Sequence, residues 1–422
     1  LSESFKVFKS VLRFGSMGFK ETRLPNGLRV LIYTKNTLEE VGVAFGFRYG
    51  SVDCSLDKKE VAHYLEHMLF KGTKSRGWSD INNMVRRYGI NLNAETGYET
   101  TIYEAGVYRR YYPKALDLVL DMVKNAKLPA KDMSNELGTI LHELAIRRDD
   151  PDNILEDNMP YALYRNRAVI SNGTSKSVRA ISRSDLLRAY EAHYSPRNAA
   201  IAICGGVDMK HAYKIVKDSM SSFNRGHEEP RRKKLAHKPM RNMLVKRRDI
   251  NREIVGIGFD VGGIVRGDVN KYSALMALAE VLNNRVYDEV REKNGLSYDP
   301  KAEYEPHESF GYVMVSAGAE PGKSDRVKRM MLEECRKISE GNITKNELDR
   351  VKHGLKIEFE LLKETPVDMA TAMLDVELKG INGKNLLYMG DVLDKIDVQE
   401  IRRYAKRYID VSRCSVIMLK KY

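Results

Sequence analysis

Apolar and polar positions along this chain follow two periods, and the same succession of periods occurs twice. In the first half, strand-length apolar runs at 28–34 and 42–48 lead into a helical pattern containing two histidines, and an alternating stretch covers 91–107. Helical patterns follow over 113–124, 130–148 and 182–193, and a strand at 199–204 closes the half. After a basic connector the order returns. A strand-like run at 253–261 leads to a helix at 271–290, 312–319 alternates, and helices span 324–339, 344–364 and 398–408 before a final strand at 415–420.

Strands followed by runs of helices predict an α+β fold rather than a doubly wound sheet. The expected organisation is two similar halves joined by a linker. Residues 17–222 form the first, 223–248 the linker and start of the second half, and 249–422 the second half. Residues 1–16 read either as a tag ending at Gly15-Ser16, with a natural start at Met17, or as a leader, since Phe5, Phe8 and Leu12 alternate with Lys6, Lys9 and Arg13. The expected location is cytoplasmic, or an organellar matrix if that segment is a leader.

Composition narrows the class. No uninterrupted apolar run approaches the ~18–20 residues of a membrane span, so no membrane partner is expected. Four scattered cysteines (Cys54, Cys204, Cys335, Cys414) without a CxxC pair predict buried thiols in a reducing compartment. The net charge is +13, and much of it sits between Arg225 and Arg248. That cluster is read as a solvated connector. The competing reading is a nucleic-acid-binding module, but no interleaved aromatic platform accompanies the charge, so no nucleic-acid partner is expected. So basic a composition gives no reason to expect an acidic chamber.

The chemistry concentrates in His63-Tyr-Leu-Glu66-His67. On a helix opened near Asp57, His63 and His67 stand one turn apart on one face and can chelate a single Zn²⁺. Glu66 lies close to the metal yet can stay off it, as a general base toward a water that zinc makes acidic must. Downstream, Glu136 and Glu143 are seven residues apart, hence about two turns apart on one helical face. Spacing alone leaves both open as ligands or as solvated carboxylates.

His63-Tyr-Leu-Glu-His67-Met-Leu-Phe-Lys-Gly-Thr73 resembles the inverted zinc motif of the pitrilysin/insulysin peptidases, especially the branch of mitochondrial processing peptidase. The resemblance implies Glu143 as the third ligand of one Zn²⁺ per chain, and Glu136 as a companion acid in the second shell of ligands. Arg147-Arg-Asp-Asp-Pro-Asp is similar to that family's acidic segment. Arg291 and Tyr298, in Arg291-Glu-Lys-Asn-Gly-Leu-Ser-Tyr298, are similar to its catalytic Arg/Tyr pair, which reaches across to substrate. Asn91-Leu-Asn93-Ala94-Glu95 is similar to the edge strand on which it lays substrate.

Implied with these are a clamshell of two facing halves and the hydrolysis of unstructured peptides in an enclosed chamber. The expected partners are peptide substrates and a second copy of the chain in a homodimer, a heterodimer being the alternative. A structural subunit of the same fold without activity is the alternative function.

Overall fold

The computed structural model describes residues 17–170, 172–223, 226, 232–248 and 250–422. The expectation for residues 1–16 therefore lies outside the described residues, as do Arg225 and Arg231 of the connector.

Among the described residues, eleven strands build two sheets. The first holds β1 (Met17–Arg23), β2 (Arg29–Lys35), β3 (Glu40–Phe47), β4 (Asn91–Thr96), β5 (Thr101–Tyr108) and β6 (Ala199–Gly205), in the order β1-β2-β6-β3-β5-β4. The second holds β7 (Asn242–Arg247), β8 (Glu253–Asp260), β9 (Lys301–Pro306), β10 (Gly311–Ala319) and β11 (Ser415–Lys421), in the order β7-β11-β8-β10-β9. Apart from β1, the pairings repeat strand for strand. β2 and β6 are parallel, as are β7 and β11, and each following neighbour is antiparallel. The repeat read from the sequence is thus a repeat of topology, in an α+β clamshell.

The helices are α1 (Val61–Leu69), α2 (Trp78–Tyr88), α3 (Tyr112–Asn125), α4 (Met133–Asp149), α5 (Pro151–Tyr164), α6 (Arg183–His193), α7 (Met209–Met220), α8 (Val269–Val286), α9 (Ser324–Ser339), α10 (Lys345–Leu362), α11 (Pro366–Lys379) and α12 (Val398–Tyr408). None is long and apolar enough to cross a membrane among the described residues. The four cysteines are buried free thiols, as expected.

Two helices absent from the sequence reading interlock the halves. Each starts with proline, whose missing N–H costs nothing in a first turn. Asp150 also caps α5, accepting from the N–H of Asp152 at 2.8 Å. Helix α5 belongs to the first half but covers the second sheet, and α11 belongs to the second half but covers the first.

The strands beneath show why. On β3, Val41, Val43, Phe45 and Phe47 join the core of the first half, while Gly42, Ala44 and Gly46 face the other way. A Cβ on Gly42 would lie 2.2 Å from the Pro366 carbonyl oxygen. On β8, Val255, Ile257 and Phe259 enter the second core, and a Cβ on Gly258 would lie 2.3 Å from Met159 Sδ. Small residues on one face of each central strand let a borrowed helix come close.

One expectation needs correction. Asp57 does not open the histidine helix: residues Leu56–Lys58 form a separate 3₁₀ turn, and α1 begins at Val61 behind Glu60, whose carboxylate is drawn toward His63. Within 223–248, read as linker and start of the second half, the second sheet already begins. Asn242–Arg247 form β7, an edge strand that lays Met243 and Val245 on the core and leaves Leu244 and Lys246 exposed on its other side. Basic residues suit an edge strand because they discourage further pairing, and here they hid the strand period.

Candidate metal centre and the cavity around it

Helix α1 buries Tyr64, Leu65, Met68 and Leu69 in the first core, which turns His63, Glu66 and His67 toward the space between the halves. The Tyr64 hydroxyl donates to the Met133 carbonyl and docks α1 on α4. Ile140 and Leu144 of α4 enter the same core, which brings Glu136 and Glu143 over the histidines.

Three donor atoms meet there. His63 Nε2 and His67 Nε2 are 3.1 Å apart, and Glu143 Oε2 lies 3.4 Å from the first and 3.3 Å from the second. A tetrahedral centre with ligands at ~2.0–2.1 Å has edges of about 3.3 Å, so this triangle has the dimensions of one face of such a centre. The site therefore fits a metal ion held by His63, His67 and Glu143. The surroundings also favour positive charge. Burial opposes a charged His63, yet Glu143 and Glu60 outweigh it and raise its pKa to about 10.

Each of the two imidazoles is held by a carboxylate on its far nitrogen. Glu136 Oε2 lies 3.2 Å from His67 Nδ1, and its other oxygen accepts from Lys71 Nζ at 2.6 Å. Glu60 Oε2 lies 3.0 Å from His63 Nδ1, while Oε1 accepts from the Gly173 N–H. Such pairing sets the tautomer and turns both Nε2 atoms toward Glu143. Glu60 was missed in the sequence, although its i,i+3 spacing to His63 was available to find it.

Glu66 is buried beside the triangle, 7 % exposed, and Oε2 accepts from the Thr96 hydroxyl at 2.6 Å. Burial raises its pKa, against the opposing pull of His63, Thr96 and His67, which makes it a stronger base. Thr96 ends β4, the outer strand of the first sheet, which pairs only with β5 among the described strands. Asn93, Ala94 and Glu95 of β4 line the cavity with it; Asn91 starts the same strand but is not among the lining residues.

Arg291 and Tyr298 are likewise absent from that lining. Arg291 Nη1 donates to the Tyr298 carbonyl at 2.6 Å and its guanidinium sits 4.4 Å from the Tyr298 ring centroid. Tyr298 is 81 % exposed.

The cavity measures about 1200 Å³ and lies between the two halves. Its lining holds eleven Asp/Glu against four Lys/Arg, an acidic chamber inside a chain of net charge +13. The expectation drawn from composition fails here because charge is segregated: the acids point inward. Glu305 near the end of β9 and His307 just after it, with Asp375 and Lys379 of α11, line the cavity from the second half. Burial lifts Glu305 to about 7 and holds the His307 imidazole neutral, with neither ring nitrogen partnered.

Comparison with known proteins agrees with this geometry. Residues 29–173 match the model of the insulinase family (peptidase family M16), and residues 180–355 match that of the peptidase M16 inactive domain. An uncharacterized zinc protease of Streptomyces coelicolor is 28% identical over 346 residues, covering 78% of this chain and 74% of that protein. One from Rickettsia bellii is 24% identical over 387 residues and covers 91% of both. Among solved structures, a protease from Helicobacter pylori superposes with a TM-score of 0.87 at 20% identity, over 96% of this chain and 99% of that one. Matched in both halves by models of a single family, the chain belongs to the insulinase peptidases, family M16.

Proposed function

We propose that the protein is a zinc endopeptidase that cleaves unstructured, cationic peptides within the cavity between its halves. The observation that carries this reading is the triangle of His63 Nε2, His67 Nε2 and Glu143 Oε2 with the buried Glu66 carboxylate beside it. The relatives named as zinc proteases favour zinc as the ion.

In this reading His63, His67 and Glu143 hold one zinc ion, which when bound polarises a carbonyl and makes water acidic. Glu66 removes a proton from the attacking water as the C–O bond forms. It then delivers that proton to the amide nitrogen as the C–N bond breaks, so it ends the cycle unprotonated. The Thr96 hydroxyl holds the carboxylate in place through the transfer. The free edge of β4 takes the peptide as an added strand, which requires an extended substrate. By the resemblance, Arg291 and Tyr298 engage substrate from the second half, Tyr298 donating to developing negative charge, which requires both to move in from their place outside the cavity lining. The acidic lining favours peptides rich in Lys and Arg.

The test is metal analysis together with digestion of peptide libraries, alongside the same sequences held in a stable folded domain. Zinc at one per chain and cleavage confined to the free peptides, basic ones first, is expected. Zinc-loaded protein that cleaves nothing leaves the inactive structural subunit as the function.

A further inference from the structure

A second cavity, of about 160 Å³, opens on the seam between the halves and has the opposite character to the first. Its lining holds eight Lys/Arg and two carboxylates, Glu308 and Glu377. Three of the arginines are largely buried, Arg29 and Arg48 from the first half and Arg232 from the connector. Arg232 is answered from outside the lining by Asp53, at 2.6 Å, but Arg29 is only partly answered. Glu377 takes Arg29 Nη1 at 2.9 Å, but the Arg29 Nε–H is buried and meets no acceptor. Glu308 is shared by Arg48 at 2.7 Å and Arg232 at 3.5 Å.

Around this floor stand Arg23, Arg197 and Arg266, all exposed, none of which forms an ion pair among the described residues. Burial, with Arg23 and Arg48 nearby, pulls the Arg29 pKa down against Glu377, as expected where cations outnumber anions.

With Lys379 held by Asp375, four of the eight cations (Arg23, Arg197, Lys234 and Arg266) have no carboxylate partner among the described residues, and the orphaned Arg29 N–H lies with them in the same lining. Guanidinium forks match tetrahedral oxyanions two bonds at a time. The volume equals roughly five water molecules at ~30 Å³ each, room for a phosphate group but not for a nucleoside. We propose that this seam cavity binds a phosphate-type oxyanion, which bridges the two halves. Arg23 and Arg29 supply one wall and Arg266 the other, so the bound anion resists their separation. This inference does not depend on the peptidase reading.

The test is calorimetric titration of the full chain with inorganic phosphate, tripolyphosphate and ATP at constant ionic strength set by chloride. Saturable binding of phosphate at one per chain is expected. It should weaken roughly tenfold in Arg23→Gln and in Arg266→Gln, the effect of losing one charge-assisted hydrogen bond. Neither arginine holds an ion pair, so both variants should fold as the parent does. Tripolyphosphate matching ATP assigns the site to free phosphates, and ATP binding more tightly assigns it to a nucleotide's phosphate tail. Hydrogen exchange with phosphate present should slow at 23–29 and at 264–266 together. No saturable heat with any of the three ligands, or affinities unchanged in both variants, overturns the site; slowing on one wall alone overturns the bridge.

Discussion

The two halves share a sheet and differ in what hangs from it. Both sheets run parallel, antiparallel, antiparallel, antiparallel through five corresponding strands. In the first, the helix after the third strand presents His63, Glu66 and His67 to the cavity. In the second, α8 follows the corresponding strand and buries Ala274, Leu275, Ala277, Leu278 and Leu282 instead. The scaffold therefore does not determine the chemistry. Two imidazoles and a carboxylate are a local addition to one copy, and the other copy is free to become a wall, a lid and a lender of α11.

That division can be broken most severely at Glu66. Glu66→Gln keeps the hydrogen bond to Thr96 within reach but removes the base, and peptide hydrolysis should fall by roughly 10³-fold or more with zinc content unchanged. Near-parental turnover by zinc-loaded mutant protein would remove Glu66 from the mechanism.

Next comes the ranking of the two glutamates on α4. Glu143→Gln should lose zinc to a competing chelator far more readily than Glu136→Gln, because Glu143 alone reaches both Nε2 atoms. Titration of both variants with the same chelator decides it, and the reverse order exchanges their roles.

The interlock between halves should be costly to disturb on either sheet. Gly42→Ala and Gly258→Ala each push a methyl into a borrowed helix and should destabilise by about 1–3 kcal/mol, read from denaturant midpoints. A neutral result at either position means that the helix there sits more loosely than described.

Smaller effects test the second half as a substrate wall. Glu305, held near 7 by burial, gains its negative charge as pH rises through that value. The KM for Lys/Arg-rich peptides should therefore fall between about pH 6 and 8, and Glu305→Gln should flatten this change while leaving neutral peptides alone. Tyr298→Phe should lower kcat a few-fold with zinc unchanged. Unaltered kinetics on several peptides would return Tyr298 to its contact with Arg291.

Much of this molecule was decided locally and could be read as such. The spacing of His63 and His67 puts both on one helical face whatever surrounds them, and the recurrence of strand and helix periods carries the repeat. The triangle with Glu143 was readable only through resemblance, since nothing in the spacing separates Glu143 from Glu136. Three features belong to tertiary structure alone. The borrowed helices depend on the small-residue faces of β3 and β8, where Gly42, Ala44, Gly46, Gly256 and Gly258 weaken the apolar alternation that marks a strand. That Glu136 pairs with His67 in particular, 69 positions away, is seen only in the fold, the resemblance having named Glu136 as a companion acid without its partner. The acidic chamber and the basic seam appear only when the chain is closed, because composition sums charges and folding sorts them by face.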